Sequence, residues 1–127
     1  MRYISAFIDS ADDDVVKLIG MTYPGDVAVA GGLVVTTAFA GGSPIVDVGF
    51  LKDNQNGTVD PNALGSALVA TGVGQIVLDE LAASTNKRCT VADQINATLS
   101  SGSPITAGAG YVWVALMNFN TLNDNPA

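Results

Sequence analysis

Gln94-Ile95-Asn96-Ala97-Thr98-Leu99-Ser100 is the stretch that decides the fold. Ile95, Ala97 and Leu99 alternate with Gln94, Asn96, Thr98 and Ser100. Successive side chains of a strand point to opposite faces, so this segment is a strand covered on one side and wet on the other. Beyond it, Ser101-Gly102-Ser103-Pro104 turns the chain. Tyr111-Val112-Trp113-Val114-Ala115-Leu116-Met117-Asn118-Phe119 is then apolar on both faces. Val112, Val114 and Leu116 form one set; Tyr111, Trp113, Met117 and Phe119 form the other. Such a strand needs two covers, its own core and something else. The aromatic and Met side chains of the second set are the kind enriched at the centre of subunit contacts, so these four are the candidate interface residues. Residues 120–127 are polar and read as a candidate C-terminal arm.

Upstream, Leu33-Val34-Val35-Thr36-Thr37-Ala38-Phe39 is β-branched and aromatic, bounded by Gly31-Gly32 and Gly41-Gly42. Ile45-Val46-Asp47-Val48-Gly49-Phe50 follows Ser43-Pro44, and the two runs read as a hairpin. Val15-Val16-Lys17-Leu18-Ile19 and Val27-Ala28-Val29 are shorter strands around the turn Tyr23-Pro24-Gly25-Asp26. Gln75-Ile76-Val77-Leu78-Asp79-Glu80-Leu81 is another strand. After a turn over residues 82–86, residues 87–91 supply one more. Asp60-Pro61 suits a helix start, and Ala63, Leu64, Ala67 and Leu68 suit its buried side. One short helix is therefore expected near residues 61–70, weakened by Gly65 and ended by Gly72 and Gly74. The total is about seven to nine short antiparallel strands with Gly/Pro/Ser/Asn connections. That pattern predicts an all-β, single-domain sandwich or jelly-roll-like fold over residues 1–127, with residues 1–14 as a candidate N-terminal arm. Periodicity does not carry strand order, so the choice between a jelly roll and another sandwich stays open.

The chain has 127 residues, 48% hydrophobic and 13% charged, with mean hydropathy +0.36. The charged share is about half that of ordinary soluble domains. A surface of Ser, Thr, Asn and Gly accounts for part of this, and a buried contact with copies of itself or a partner for the rest. The net charge is −7, with five basic residues of which only Lys87 and Arg88 are adjacent. Nucleic-acid binding needs clustered cations, so DNA and RNA are not expected partners, and an anionic membrane surface would repel the chain. The apolar start at Tyr3-Ile4-Ser5-Ala6-Phe7-Ile8 is short and runs at once into acid, unlike a signal peptide. Long uncharged stretches are broken by Gly and Pro, so no membrane helix is expected.

The residues that usually carry chemistry are scarce: no histidine, one cysteine (Cys89) and one glutamate (Glu80). Cys89 has no base to activate it and reads as a small core or interface hydrophobe. Asp79-Glu80 point to opposite faces of a strand, and Asp12-Asp13-Asp14 reads as a solvated acidic turn. No catalytic residues, cofactor site or metal site are assigned. The oxygen-rich run Asp53-Asn54-Gln55-Asn56-Gly57-Thr58-Val59-Asp60 fails the calcium-loop spacing, with Gly57 at position five and Leu64 where a bidentate Glu is needed. The glycine pairs do not continue into a phosphate-binding motif.

Val34-Val35-Thr36-Thr37-Ala38-Phe39, then Gly42, Pro44 and Asp47-Val48-Gly49, resembles a pattern in small structural proteins of tailed bacteriophages. Gly102-Ser103-Pro104-Ile105-Thr106-Ala107-Gly108 before the strand from Tyr111 fits the same type. Within that group the chain is most similar to head decoration, or cement, proteins. The resemblance implies a non-enzymatic virion protein that forms a homotrimer and binds the major capsid protein on the outer surface of the shell, assembled in the host cytoplasm. A tail, head-fibre or connector component is the alternative, and a ligand- or carbohydrate-binding sandwich a second one.

Overall fold

The computed structural model describes residues 1–50, 60–81 and 89–119. Among these, the chain forms eight strands and one short 3-10 turn, η1 (Ser10–Asp12). The strands are β1 (Arg2–Asp9), β2 (Val16–Thr22), β3 (Asp26–Ala40), β4 (Ile45–Phe50), β5 (Asp60–Val69), β6 (Gly74–Val77), β7 (Asp93–Ser100) and β8 (Ala107–Asn118). They lie in two four-stranded sheets, ordered β1-β8-β3-β6 and β2-β7-β4-β5. Every strand pair is antiparallel, and the pairs β1·β8, β2·β7, β3·β6 and β4·β5 are nested one inside the next. A long hairpin wound over itself gives that nesting, and it is the topology of a jelly roll. The expected all-β sandwich is therefore present, and the strand order that periodicity left open is supplied by the pairings.

The two sheets close on one apolar core. Ile8, Leu33, Val35, Val112 and Val114 come from the first sheet and Val46, Val48, Ile95 and Leu99 from the second, all essentially without exposure. The alternation in β7 falls as expected except at Asn96: Ile95, Ala97 and Leu99 face inward, Gln94, Thr98 and Ser100 stay partly exposed, and Asn96 is buried. Cys89 is buried with this core, as a small hydrophobe would be.

Three local readings are corrected. Residues 61–70 form strand β5 rather than a helix. The helical signal rested on Asp60-Pro61 and on the spacing of Leu64 and Leu68, but an irregular strand buries both Leu64 and Leu68 in the core. Between the pairs Val46↔Leu68 and Val48↔Gly65, β5 uses one residue more than β4, which is a bulge. The amides of Ser66 and Ala67, left out of the ladder there, donate instead to Asp79 Oδ1 at 2.9 Å and Asp47 Oδ1 at 2.7 Å. Second, the runs read as a hairpin, β3 and β4, lie in different sheets, so Gly41 and Gly42 carry the chain across the sandwich. Third, Gly31-Gly32 does not separate two strands: β3 runs through both. A Cβ on Gly31 would lie 2.5 Å from Leu78 Cδ1 and 2.6 Å from the Trp113 carbonyl oxygen, and one on Gly32 would lie 3.2 Å from Trp113 Nε1. The glycines are there for close approach of neighbouring groups, not for a turn.

Within residues 1–14, read from sequence as an N-terminal arm, β1 is hydrogen-bonded along its length to β8. The C-terminal arm at 120–127, the oxygen-rich run 53–59 and the turn at 82–86 lie outside the described residues.

Candidate functional site

The outward face of the sheet β1-β8-β3-β6 carries the candidate interface residues. Register fixes its rows. Phe7, Tyr111, Val34 and Gln75 lie side by side, as do Ser5, Trp113, Gly32 and Val77, and then Tyr3, Ala115 and Ala30. No outward position in these rows is charged, although the chain carries 12 acidic residues. Tyr3 is 67% exposed, Phe7 55%, Tyr111 41% and Val77 63%. Trp113 is half-buried: its ring centroid lies 6.4 Å from that of Tyr3, tilted by 39°, and its indole rests over the open backbone of Gly32. An aromatic ring lying on a cross-strand glycine makes a flat, stiff platform.

The four residues named from sequence separate into two places. Tyr111 and Trp113 sit at the middle of the face. Met117, opposite Val27, shares the face but stands six residues, ~20 Å, along β8 from Tyr111. Phe119 lies past the strand, its N–H bonded to the Gly25 carbonyl at 2.8 Å. Both are partly buried. The sequence reading missed Tyr3 and Phe7, which extend the aromatic surface onto β1. The signal was present as Tyr3, Ser5 and Phe7 alternating with Ile4, Ala6 and Ile8. Both sets are mostly apolar, however, so no polar contrast marked the outward one.

One end of the face is pinned by a buried carboxylate. Asp26 is 3% exposed and accepts from Arg2 Nη2 at 2.7 Å, the Tyr23 N–H at 2.9 Å and Asn118 Nδ2 at 3.0 Å. Arg2 also lies over the Tyr23 ring, 5.1 Å from its centroid. This group ties together the starts of β1 and β3 and the end of β8. At the opposite end, the acidic run is built into the crossing from β1 to β2 rather than being only a solvated turn. Asp12 accepts from the Asp9 N–H at 2.9 Å and from Lys17 Nζ at 3.4 Å, and Asp13 accepts from the Ile105 N–H at 3.4 Å. Among the described residues, no three His, Cys, Asp or Glu side chains converge as a metal site would require. The outward face offers apolar contact by aromatic side chains on a rigid sheet.

The fold is similar to that of a chain in the solved structure of the capsid of Ralstonia phage GP4. The TM-score is 0.62 and the identity 18%, over 92% of this chain and 84% of that one. At this identity the likeness is one of fold. No protein-family model and no curated protein matches the sequence.

Proposed function

We propose that this chain is a non-enzymatic structural protein of a phage particle that decorates and stabilises the capsid shell, binding as a homotrimer across neighbouring major capsid subunits. The observation that carries the reading is the uncharged aromatic face of the β1-β8-β3-β6 sheet. A monomer with net charge −7 has no physical reason to keep four exposed or half-exposed aromatic side chains together on one rigid sheet. The jelly-roll likeness to a chain from a phage capsid supports the virion setting. A decorating protein needs a stiff body, a contact with its own copies and several weak feet on the shell. Joining three feet raises avidity over single-site affinity by roughly 10²–10⁴, and bound protein favours the assembled shell by mass action. A sugar-binding role fits less well. Sugar hydroxyls need convergent polar partners, and the aromatic rows offer only Ser5 and Gln75 beside the rings.

The test uses shells of the phage that encodes the chain, stripped of minor proteins. Purified chain added back should saturate at a fixed copy number per capsid subunit and raise the temperature at which the shells come apart. Absence of binding to shells, together with binding to purified tails or necks, would move the chain to another part of the particle.

A further inference from the structure

The exposed apolar side chains do not stop at the aromatic face. They continue around the rim where β1, the edge of one sheet, meets β2, the edge of the other. The two strands touch there: a Cβ on Gly20 would lie 2.7 Å from Ile4 Cγ2, so a glycine lets β2 close onto β1. On the β2 flank, Val16 is 58% exposed, Leu18 49% and Met21 39%. Register puts all three on the outer side of their sheet, opposite Thr98, Asn96 and Gln94. Tyr3 and Phe7 on β1 and Tyr111 on β8 continue the exposed apolar surface on the other flank. The cations on the rim, Arg2 and Lys17, are each paired within the chain, to Asp26 and Asp12.

We infer that copies of the chain join head to tail around this rim, the β2 flank of one copy packing against the aromatic β1–β8 face of the next. This rests on the proposal above that the chain associates with itself, and adds which surfaces meet. Two observations favour a second copy as the occupant. Along both flanks the surface is apolar and the cations Arg2 and Lys17 are paired within the chain, so two chains of net charge −7 can meet there with their acidic β1–β2 crossings outside the contact. The flanks lie on opposite sides of one corner. A two-fold pair would use a single patch against itself, whereas a closed ring needs two different patches per copy, as a wedge does. The exposed side chains of the rim amount to on the order of 800 Å² per copy. Divided between two contacts, each is about half of one partner's share of a standard interface, so a single contact is weak and the ring holds by closure, because a departing copy must break both.

The experiment is light scattering on four full-length variants, two per flank: Leu18→Glu and Val16→Glu on β2, Phe7→Glu and Tyr111→Glu on the face. All four side chains are exposed, and circular dichroism melts within a few degrees of the natural chain identify the folded variants to be used. Each variant alone should run as a monomer where the natural chain is a trimer. A β2 variant mixed in equal amounts with a face variant should give a species of two subunits as concentration is raised well above that at which the natural trimer forms, since one intact contact remains between them and the ring cannot close, whereas neither variant alone should associate over the same range. Trimers from the β2 variants, or mixtures that associate no more than each variant alone up to the highest concentrations reached, would overturn the head-to-tail contact. A natural chain that is itself monomeric would overturn it too. Shell binding by the same monomeric chain is read separately, so loss of the contact and loss of the decorating role are told apart.

Discussion

Asp26 shows how one residue holds the candidate face in shape. A carboxylate taken almost fully out of water is costly unless charged and hydrogen-bonded partners replace the lost hydration. Here Arg2, the Tyr23 amide and Asn118 do so, from three separate parts of the chain. Asp26→Ala leaves Arg2 without its partner and the Tyr23 amide without an acceptor. The expected cost is about 3 kcal/mol, measured by urea unfolding, with Arg2→Ala costing less because the Arg2 side chain is 42% exposed and its charge returns to water. A loss below about 1 kcal/mol for Asp26→Ala would mean that water replaces these partners without penalty. Gly31 makes a complementary case. A methyl group there would meet the side chain of Leu78 and the backbone of Trp113. Leu78 can shift but the β8 backbone cannot without breaking its ladder, so Gly31→Ala should destabilise by about 1–3 kcal/mol and perturb the Trp113 fluorescence. An unchanged spectrum and melt would show that the β3–β8 spacing is softer than its register implies.

At the level of elements, the strands with an unambiguous polar contrast were legible in the sequence and those shaped by partners were not. Strand β7 announced itself because Ile95, Ala97 and Leu99 face the core while Gln94 and Thr98 face water. Both faces of β8 were legible too, since Val112, Val114 and Leu116 are buried and Tyr111 and Trp113 lie on the other side. Strand β5 was not. Its backbone state is decided by β4 and by two distant aspartates, Asp47 and Asp79, which accept the amides that the bulge releases. No pattern of neighbours within residues 61–70 encodes that, so local helix signals prevailed in the reading. Gly31-Gly32 misled for a similar reason: the need for glycine comes from Leu78 and Trp113, far away in sequence. Asp47→Ala should therefore free the Ala67 amide and Asp79→Ala the Ser66 amide. Each is expected to lower stability by about 1 kcal/mol. Hydrogen exchange should accelerate at the released amide first, while β7 amides remain protected. Uniform acceleration across both sheets would show that the bulge is a global and not a local element of stability.

For the whole molecule, the decisive contrast is between a strongly acidic chain and the apolar flanks of its β1–β2 rim. The association proposed through that rim would be driven by burial of apolar surface, which salt does not weaken, and opposed by repulsion between copies of net charge −7, which salt screens. The opposition is sharpened by position, because Asp9, Asp12, Asp13 and Asp14 sit at one end of the rim, where β1 passes to β2. Copies joined along the rim bring these ends near one another. At ~10 mM ionic strength the screening length of ~30 Å spans such distances, and at ~150 mM it falls to ~8 Å. Self-association should therefore tighten by roughly tenfold as salt rises between these values, the reverse of what an interface built from ion pairs would do. Asp14→Asn isolates the cause. Its φ of 59° is one that Asn tolerates, and its side chain is exposed, so the fold should be unaffected. The variant should associate more tightly than the natural chain at low salt and equally at high salt, as measured by sedimentation equilibrium. If instead salt loosens the assembly, or Asp14→Asn weakens it, then acidic groups make attractive contacts between copies, and the joining surface must include the acidic end and not the rim alone.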